Sequence, residues 1–197
     1  PATKTYVCVP GTDNPFVLSA CHHDLLDMGA AFAPAVNPDD KPDGIPDVTC
    51  KIVDPVWIAG TLNGIDFRPS SPDNEPKAML SSCANARAMV VSTGALAELG
   101  VTDVVHLGIY NCRVIAGTKT LSQHGLANAI DIAGLKLVDQ SYYTVLNDWE
   151  KNVSSPKTAA GKLLKALVQK LHDDHTYNIL LTPNFNTDHD DHFHCDL

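Results

Sequence analysis

Two rhythms of apolar and polar positions run through this chain. From Lys77 to Leu99, "KAMLSSCANARAMVVSTGALAEL" places Met79, Cys83, Ala86, Met89, Val90 and Leu96 three or four residues apart or a multiple of a turn on, and stops before Gly100. That spacing predicts a helix with one stripe on a core, ended by a residue that tolerates a left-handed backbone. A second stripe, Ala160, Leu163, Leu164, Leu167, Val168 and Leu171, follows Ser155-Pro156. It predicts a helix capped by Ser155 with Pro156 in its first turn. "ACHHDLLDMGAAF" predicts a shorter helix, on which the adjacent pair His22-His23 reads as surface. The other rhythm is that of strands. "VTDVVHLGIYNCRV" alternates, "GLANAIDIAGLKLVD" reads as a turn feeding a strand pair, and "YNILLTP" as a final strand. "CKIVDPVWIAGTL" and "GIDFRP" read as extended pieces joined by a turn at Asn63-Gly64.

Helices and strands mix without regular βαβ alternation, so the expected class is α+β, a largely antiparallel sheet with packed helices. Turn signals rich in Pro, Asp and Asn crowd the first part of the chain, at "VPGTDNP", "NPDDKPDGIPD" and "RPSSPDNEP". The organisation expected is a single domain over 1–197, with an irregular, disulfide-linked part at 1–75 and a helix plus core at 76–197. The acidic run "DDKPDGIPD" reads as an ordinary turn, because Lys41 stands where a calcium loop needs a carboxylate and no Glu closes it.

Composition narrows the partners. At 197 residues and 44% hydrophobic, the chain can bury a core. Lys+Arg 14 against Asp+Glu 23 gives a net charge of -9, which offers no footprint for nucleic acid or an anionic membrane. Charges break the apolar runs well short of the roughly 18 residues of a membrane span. "PATKTYVCVPG" has no apolar signal core, so any leader is expected to be gone. Six cysteines without a CxxC pair favour up to three disulfides and a periplasmic or secreted location.

Two segments carry candidate metal chemistry. In "LSQHGLANAIDIAG", His124 and Asp131 are close enough for a tight turn to return a strand-borne Asp131 to His124. In "HFH" near the end, His192 and His194 occupy alternate strand positions and project together. A zinc site takes about three ligands from His, Asp, Glu and Cys, with a further position open if it is catalytic.

The pattern His124 to Asp131 followed by His192-Phe193-His194 resembles the signature of zinc peptidases that include lysostaphin-type enzymes, D-Ala-D-Ala metallopeptidases and the hedgehog zinc domain. Within that group, "YNCRVIAGTKTLSQHGLANAIDIAG" with the ending "HDDHFHCDL" is similar to the bacterial extensin-like C-terminal domain family. The resemblance implies a hedgehog/DD-peptidase-like zinc domain with Zn²⁺ on His124, Asp131 and His194. It leaves His192, Asp191 and His189 as alternatives for moving the proton. Arg113 would face a substrate carbonyl or carboxylate, and Ser122 falls on the family's substrate-side serine. The implied activity is that of a murein DD- or LD-peptidase, acting as a monomer on an amide of a peptidoglycan stem peptide or cross-link. A non-catalytic, zinc-containing module that binds cell-wall peptides is the alternative. Asp190 and Asp196 are candidates to orient the ligand imidazoles. Ala127 stands where the family has Gly, so a positive φ there implies strain. Cys112 and Cys195 neighbour Arg113 and His194, which suggests a bridge between them.

Overall fold

The computed structural model of this protein describes residues 6–7 and 16–197. Strand β1 (Tyr6–Val7) pairs with β2 (Phe16–Val17). Helix α1 (Ala20–Asp27) and strands β3 (Phe32–Pro34), β4 (Pro55–Ile58), β5 (Thr61–Leu62), β6 (Ile65–Pro69) and β7 (Met79–Ser82) follow. Next come α2 (Cys83–Glu98), β8 (Val101–Gly108), β9 (Ala129–Leu137) and β10 (Tyr142–Thr144). The chain continues through α3 (Val145–Asp148), α4 (Ala159–Asp173), β11 (Ile179–Leu181) and β12 (Phe193–Asp196). The main sheet runs β11-β12-β9-β8-β6-β5, with β10 also on β9, and a smaller sheet runs β3-β4-β7. The class is α+β, and pairing is antiparallel except between β6 and β8, which run parallel. That parallel pair is made possible by the α2 crossover, which touches strands of both these sheets.

Local chemistry accounts for the elements. Along α4, Ala160, Leu164, Leu167 and Leu171 are buried on one face while Lys162 and Asp173 face outward. Helix α2 is buried on most sides, so Ala, Ser and Thr replace bulk, and Ser92 and Thr93 hydroxyls donate back to the Met89 and Val90 carbonyls. Asn63 and Gly64 both take positive φ, 49° and 82°, and close the β5–β6 hairpin. On β6, Arg68 forms a half-buried ion cluster with Asp66 and with Asp103 of β8. Burial pushes the Asp103 carboxyl up, yet the bonds from Thr102 and Arg68 hold it below its ordinary value.

Several expectations are corrected. The helix expected from Lys77 begins only at Cys83, because Met79–Ser82 pairs with β4 and Ser82 then caps α2 by accepting the Asn85 N–H. Thr158, not Ser155, caps α4. The Glu150 carboxylate takes the Lys157 and Thr158 N–H groups and holds that stretch outside the helix. The expected strand pair in "GLANAIDIAGLKLVD" is one long strand, β9, preceded by a single 3-10 turn. His22 is buried, not surface: its Nδ1 accepts the Ser19 N–H in a capping box and its ring stacks on Phe32.

Two disulfides are present among the described residues, Cys21–Cys83 joining α1 to α2 and Cys50–Cys112 joining the approach to β4 with the loop after β8. The suggested Cys112–Cys195 bridge is therefore corrected; Cys195 is a free, buried thiol. Cys8 lies outside the described residues. Two disulfides fit maturation in an oxidising compartment, and no helix among the described residues is long and apolar enough to cross a membrane. Each disulfide spans 62 residues of chain. Replacing Cys50 and Cys112 together with alanine is expected to lower unfolding free energy by about 4 kcal/mol, from loop entropy released to the unfolded chain, as measured by urea denaturation.

Candidate metal centre

Asp131 lies within β9, opposite His194 of β12 on one side and Gly108 of β8 on the other. Residues directly opposed in antiparallel strands project to the same face, so the Asp131 carboxylate meets the His194 imidazole, and Gly108 adds no side chain there. His124 reaches the same point from the 3-10 turn Gln123–Leu126, which Ser122 caps by accepting the His124 N–H. The turn closes at Ala127, fully buried with φ 52°. A left-handed conformation costs a residue with a Cβ about 1–2 kcal/mol, so the strain implied by an alanine here is present. Gly125 is held close under the Arg113 carbonyl, where an added Cβ would stand 3.1 Å from that oxygen.

One donor atom each of His124, Asp131 and His194 falls within 4.8 Å of the others. His124 Nε2 is 3.0 Å from Asp131 Oδ2 and 3.2 Å from His194 Nδ1, and His194 Nδ1 is 2.9 Å from Asp131 Oδ1. The far nitrogens decide what these near contacts can be. His124 Nδ1 donates to the Ile109 carbonyl at 2.9 Å, and His194 Nε2 donates to the Asp196 carboxylate at 2.9 Å. A carbonyl and a carboxylate only accept, so both rings spend a proton outward and turn their other nitrogens inward. His124 Nε2 then faces a carboxylate oxygen at 3.0 Å, an arrangement that suits a proton or a metal cation between them. Anchoring a ligand histidine through its other N–H is how metal sites fix ring orientation, and this donor set fits a divalent transition metal such as zinc.

The charge balance agrees. Burial pushes the Asp131 carboxyl up, but its contacts with His124 and His194 outweigh this and hold it well below the usual carboxylate range. Burial also works against charge on His194, yet its bonds to Asp131 and Asp196 raise its pKa to about 9. A proton on His194 Nδ1 thus occupies the place a metal would contest.

The other expected residues gather around this centre with different roles. His192 brings Nε2 to 3.5 Å from Asp131 Oδ1, while its Nδ1 donates to Asp191 at 2.7 Å. Asp191 is exposed and engages His192. His189 donates from Nδ1 to Asn186 and its ring lies 5.2 Å from His192 and 5.9 Å from His194. Arg113 and Ser122 line, with His189, His194 and Asp196, a cleft of about 340 Å³. Arg113 is exposed and makes no ion pair among the described residues, whereas the Ser122 hydroxyl is engaged in capping the turn. Asp196 orients His194, but Asp190 instead pairs with Lys151 at 2.5 Å on the surface.

Four residues escaped the motif reading. The Ile109 carbonyl orients His124 by backbone alone, which leaves no residue-type signal. Phe185 and Ile115 are exposed apolar side chains on the walls of the cleft. His106, buried on β8, has both ring nitrogens without a partner, and burial lowers its pKa to about 4 against the opposing pull of Asp131; only an isolated histidine in an apolar strand hinted at it.

Residues 19–197 match the family described as "Extensin-like protein C-terminus". No curated protein and no solved structure matches the chain.

The two histidines bracket the pH scale. Against an ordinary value of 6.5, the His194 pKa is raised to about 9, so its charged contacts stabilise the fold fully below 6.5 and are lost as pH rises through 9. His106 is shifted the other way, so it removes stability as pH falls from 6.5 to about 4. Histidine NMR titration of EDTA-treated protein is expected to show His194 protonated up to about 9 and His106 neutral down to about 4. A His194 that titrates near 6.5 contradicts this assignment.

Proposed function

The chain belongs to the extensin-like protein C-terminal family, and from that premise we propose that it is a zinc-dependent peptidase of the periplasm or cell exterior. Its substrate is an amide bond in the peptide part of peptidoglycan, a D-alanyl or diaminopimelate-containing bond. The observation that carries this reading is the convergence of His124, Asp131 and His194 with both far imidazole nitrogens tied outward. The wider likeness to lysostaphin-type, D-Ala-D-Ala and hedgehog zinc domains belongs to the same reading.

When bound, zinc supplies Lewis-acid polarisation of a carbonyl and acidifies water to a pKa of about 7. The protein's own groups do the rest. His192, held through Nδ1 by Asp191, directs Nε2 toward the Asp131 side of the centre, where it can take a proton and return it to the leaving amine. Asp191 orients that imidazole, a task within reach of its short side chain. His189, tied to Asn186, flanks the same space. Arg113 places an unpaired cation on the cleft wall, suited to a carbonyl oxygen that gains negative charge or to a peptide carboxylate. Phe185 and Ile115 supply apolar walls for the substrate's aliphatic parts.

Metal analysis should find stoichiometric zinc in the wild type and its loss in His194→Ala. Asp196→Ala, which keeps all three ligands, is expected to weaken zinc binding about 10–100-fold. No metal in any form sinks the ligand assignment. Digestion of purified peptidoglycan, read by mass spectrometry, should release peptide products, with the rate lowered about 10²–10⁴-fold in His192→Ala. Zinc retention without any product from several wall types would make the cell-wall peptide-binding module the better account.

A further inference from the structure

Away from the metal cluster, a cavity of about 300 Å³ is walled by Trp57, Met79, Leu80, Ile109 and Tyr110, with His106 among its lining residues. None of His124, Asp131 and His194 lines it. The volume is at the lower end of that seen in small-ligand sites, and the lining is apolar and aromatic with few polar groups, the usual make-up of such sites. Trp57 is half exposed and sets the cavity beside solvent. No charged side chain lines it.

Two of the polar groups near this cavity are engaged, and the buried one is not. The Tyr110 hydroxyl donates to Asp40 at 2.8 Å, and the Ile109 carbonyl accepts from His124. His106 is 6% exposed, and neither ring nitrogen has a hydrogen-bond partner. Buried polar atoms are rarely left unmet, and an unmet one calls for a water, an ion or a ligand. In this conformation both nitrogens are closed to bulk water. Because neither holds a hydrogen bond, turning the ring about its Cβ–Cγ bond breaks none and can present a nitrogen to the cavity.

We propose that this cavity is a second ligand site, one that seats a neutral amide with an apolar body of amino-acid size, the amide bonding to His106 and the body lying among Trp57, Met79, Leu80 and Ile109. The uncharged lining disfavours an ionised ligand, since nothing there compensates its desolvation. An amide both donates and accepts, so it serves either tautomer of a neutral imidazole. Its planar faces also suit the Trp57 and Tyr110 rings. The inference does not rest on the peptidase reading, because it uses neither the metal ligands nor the cleft beside them.

The test is a titration of the full-length chain, ¹⁵N-labelled at histidine and tryptophan, with N-acetylleucine amide. Saturable shifts are expected at the His106 nitrogens and the Trp57 indole, with His189 and His192 unmoved. In His106→Phe, which keeps the wall apolar, the midpoint read at Trp57 should rise at least about tenfold, the effect of one lost hydrogen bond. N-acetylleucine, which carries a carboxylate, should bind at least about tenfold more weakly than the amide. Should His106→Phe fail to fold, Leu80→Trp fills the same space and should abolish saturation. The proposal is overturned by no saturation at His106, by an unchanged midpoint in the variant that folds, by equal binding of the carboxylate, or by shifts confined to His189 and His192, which place the probe in the metal cleft.

Discussion

A carboxylate with little access to water, faced by two imidazoles whose outward protons are already committed, draws positive charge to itself, as the raised pKa of His194 shows. That is the situation of Asp131, and the surrounding structure is arranged to maintain it. Its strand is flanked on both edges, by β8 and by β12, so the carboxylate cannot swing out to solvent without breaking ladders on either side. A slip of one residue in the β9–β12 register would send His194 to the opposite face and dissolve the cluster. The buried Phe193 and Cys195, opposite Ile132 and Ile130, oppose that slip, because they would be turned out of the core by the same movement.

The tethers on the far sides of the rings form a consistent pattern. His124 is held by a backbone carbonyl, His194 by Asp196, His192 by Asp191 and His189 by Asn186. Each tether selects which nitrogen looks inward, so a set of flexible side chains becomes a fixed array of inward nitrogens. The price is local strain at Ala127, whose left-handed backbone brings the His124 turn back into β9. Beyond the array, Arg113 contributes a cation to the cleft wall, on a segment anchored by the neighbouring Cys50–Cys112 disulfide.

What was legible in the sequence followed from periodicity. The stripe of α4, the alternation of β8 and the HxH pair are local signals, and residues at those spacings share a face in any helix or strand. The meeting of His124 with Asp131 was legible for the same reason, since one turn and one strand account for the return. Features decided by distant partners were not. Met79–Ser82 has helical spacing but pairs with β4, and hydrogen bonding to a sheet edge overrode propensity. The start of α4 moved to Thr158 because Glu150, some way back along the chain, captured the backbone donors that Ser155 was expected to precede. His22 looked polar and external, yet it caps its own helix and stacks on Phe32. The tie between Ile109 and His124 has no side-chain signature at one end, and no spacing rule would have found it.

The cysteines illustrate how the same alternation can forbid as well as specify. On β12, His194 and Asp196 lie on the site face and bond to each other, while Phe193 and Cys195 are fully buried behind them. Any chain that points His194 at Asp131 must point Cys195 into the core. Cys112, by contrast, sits in the loop beyond β8, beside the exposed Arg113, and finds Cys50 there. A neighbour relation along the sequence therefore misleads on a strand, where adjacent residues face opposite ways. Burial pushes the Cys195 thiol well above its ordinary pKa, with Asp131 and Asp196 adding to the shift. The sulfur next in sequence to His194 is thereby kept protonated and in the core, apart from the nitrogen and oxygen donors of His124, Asp131 and His194.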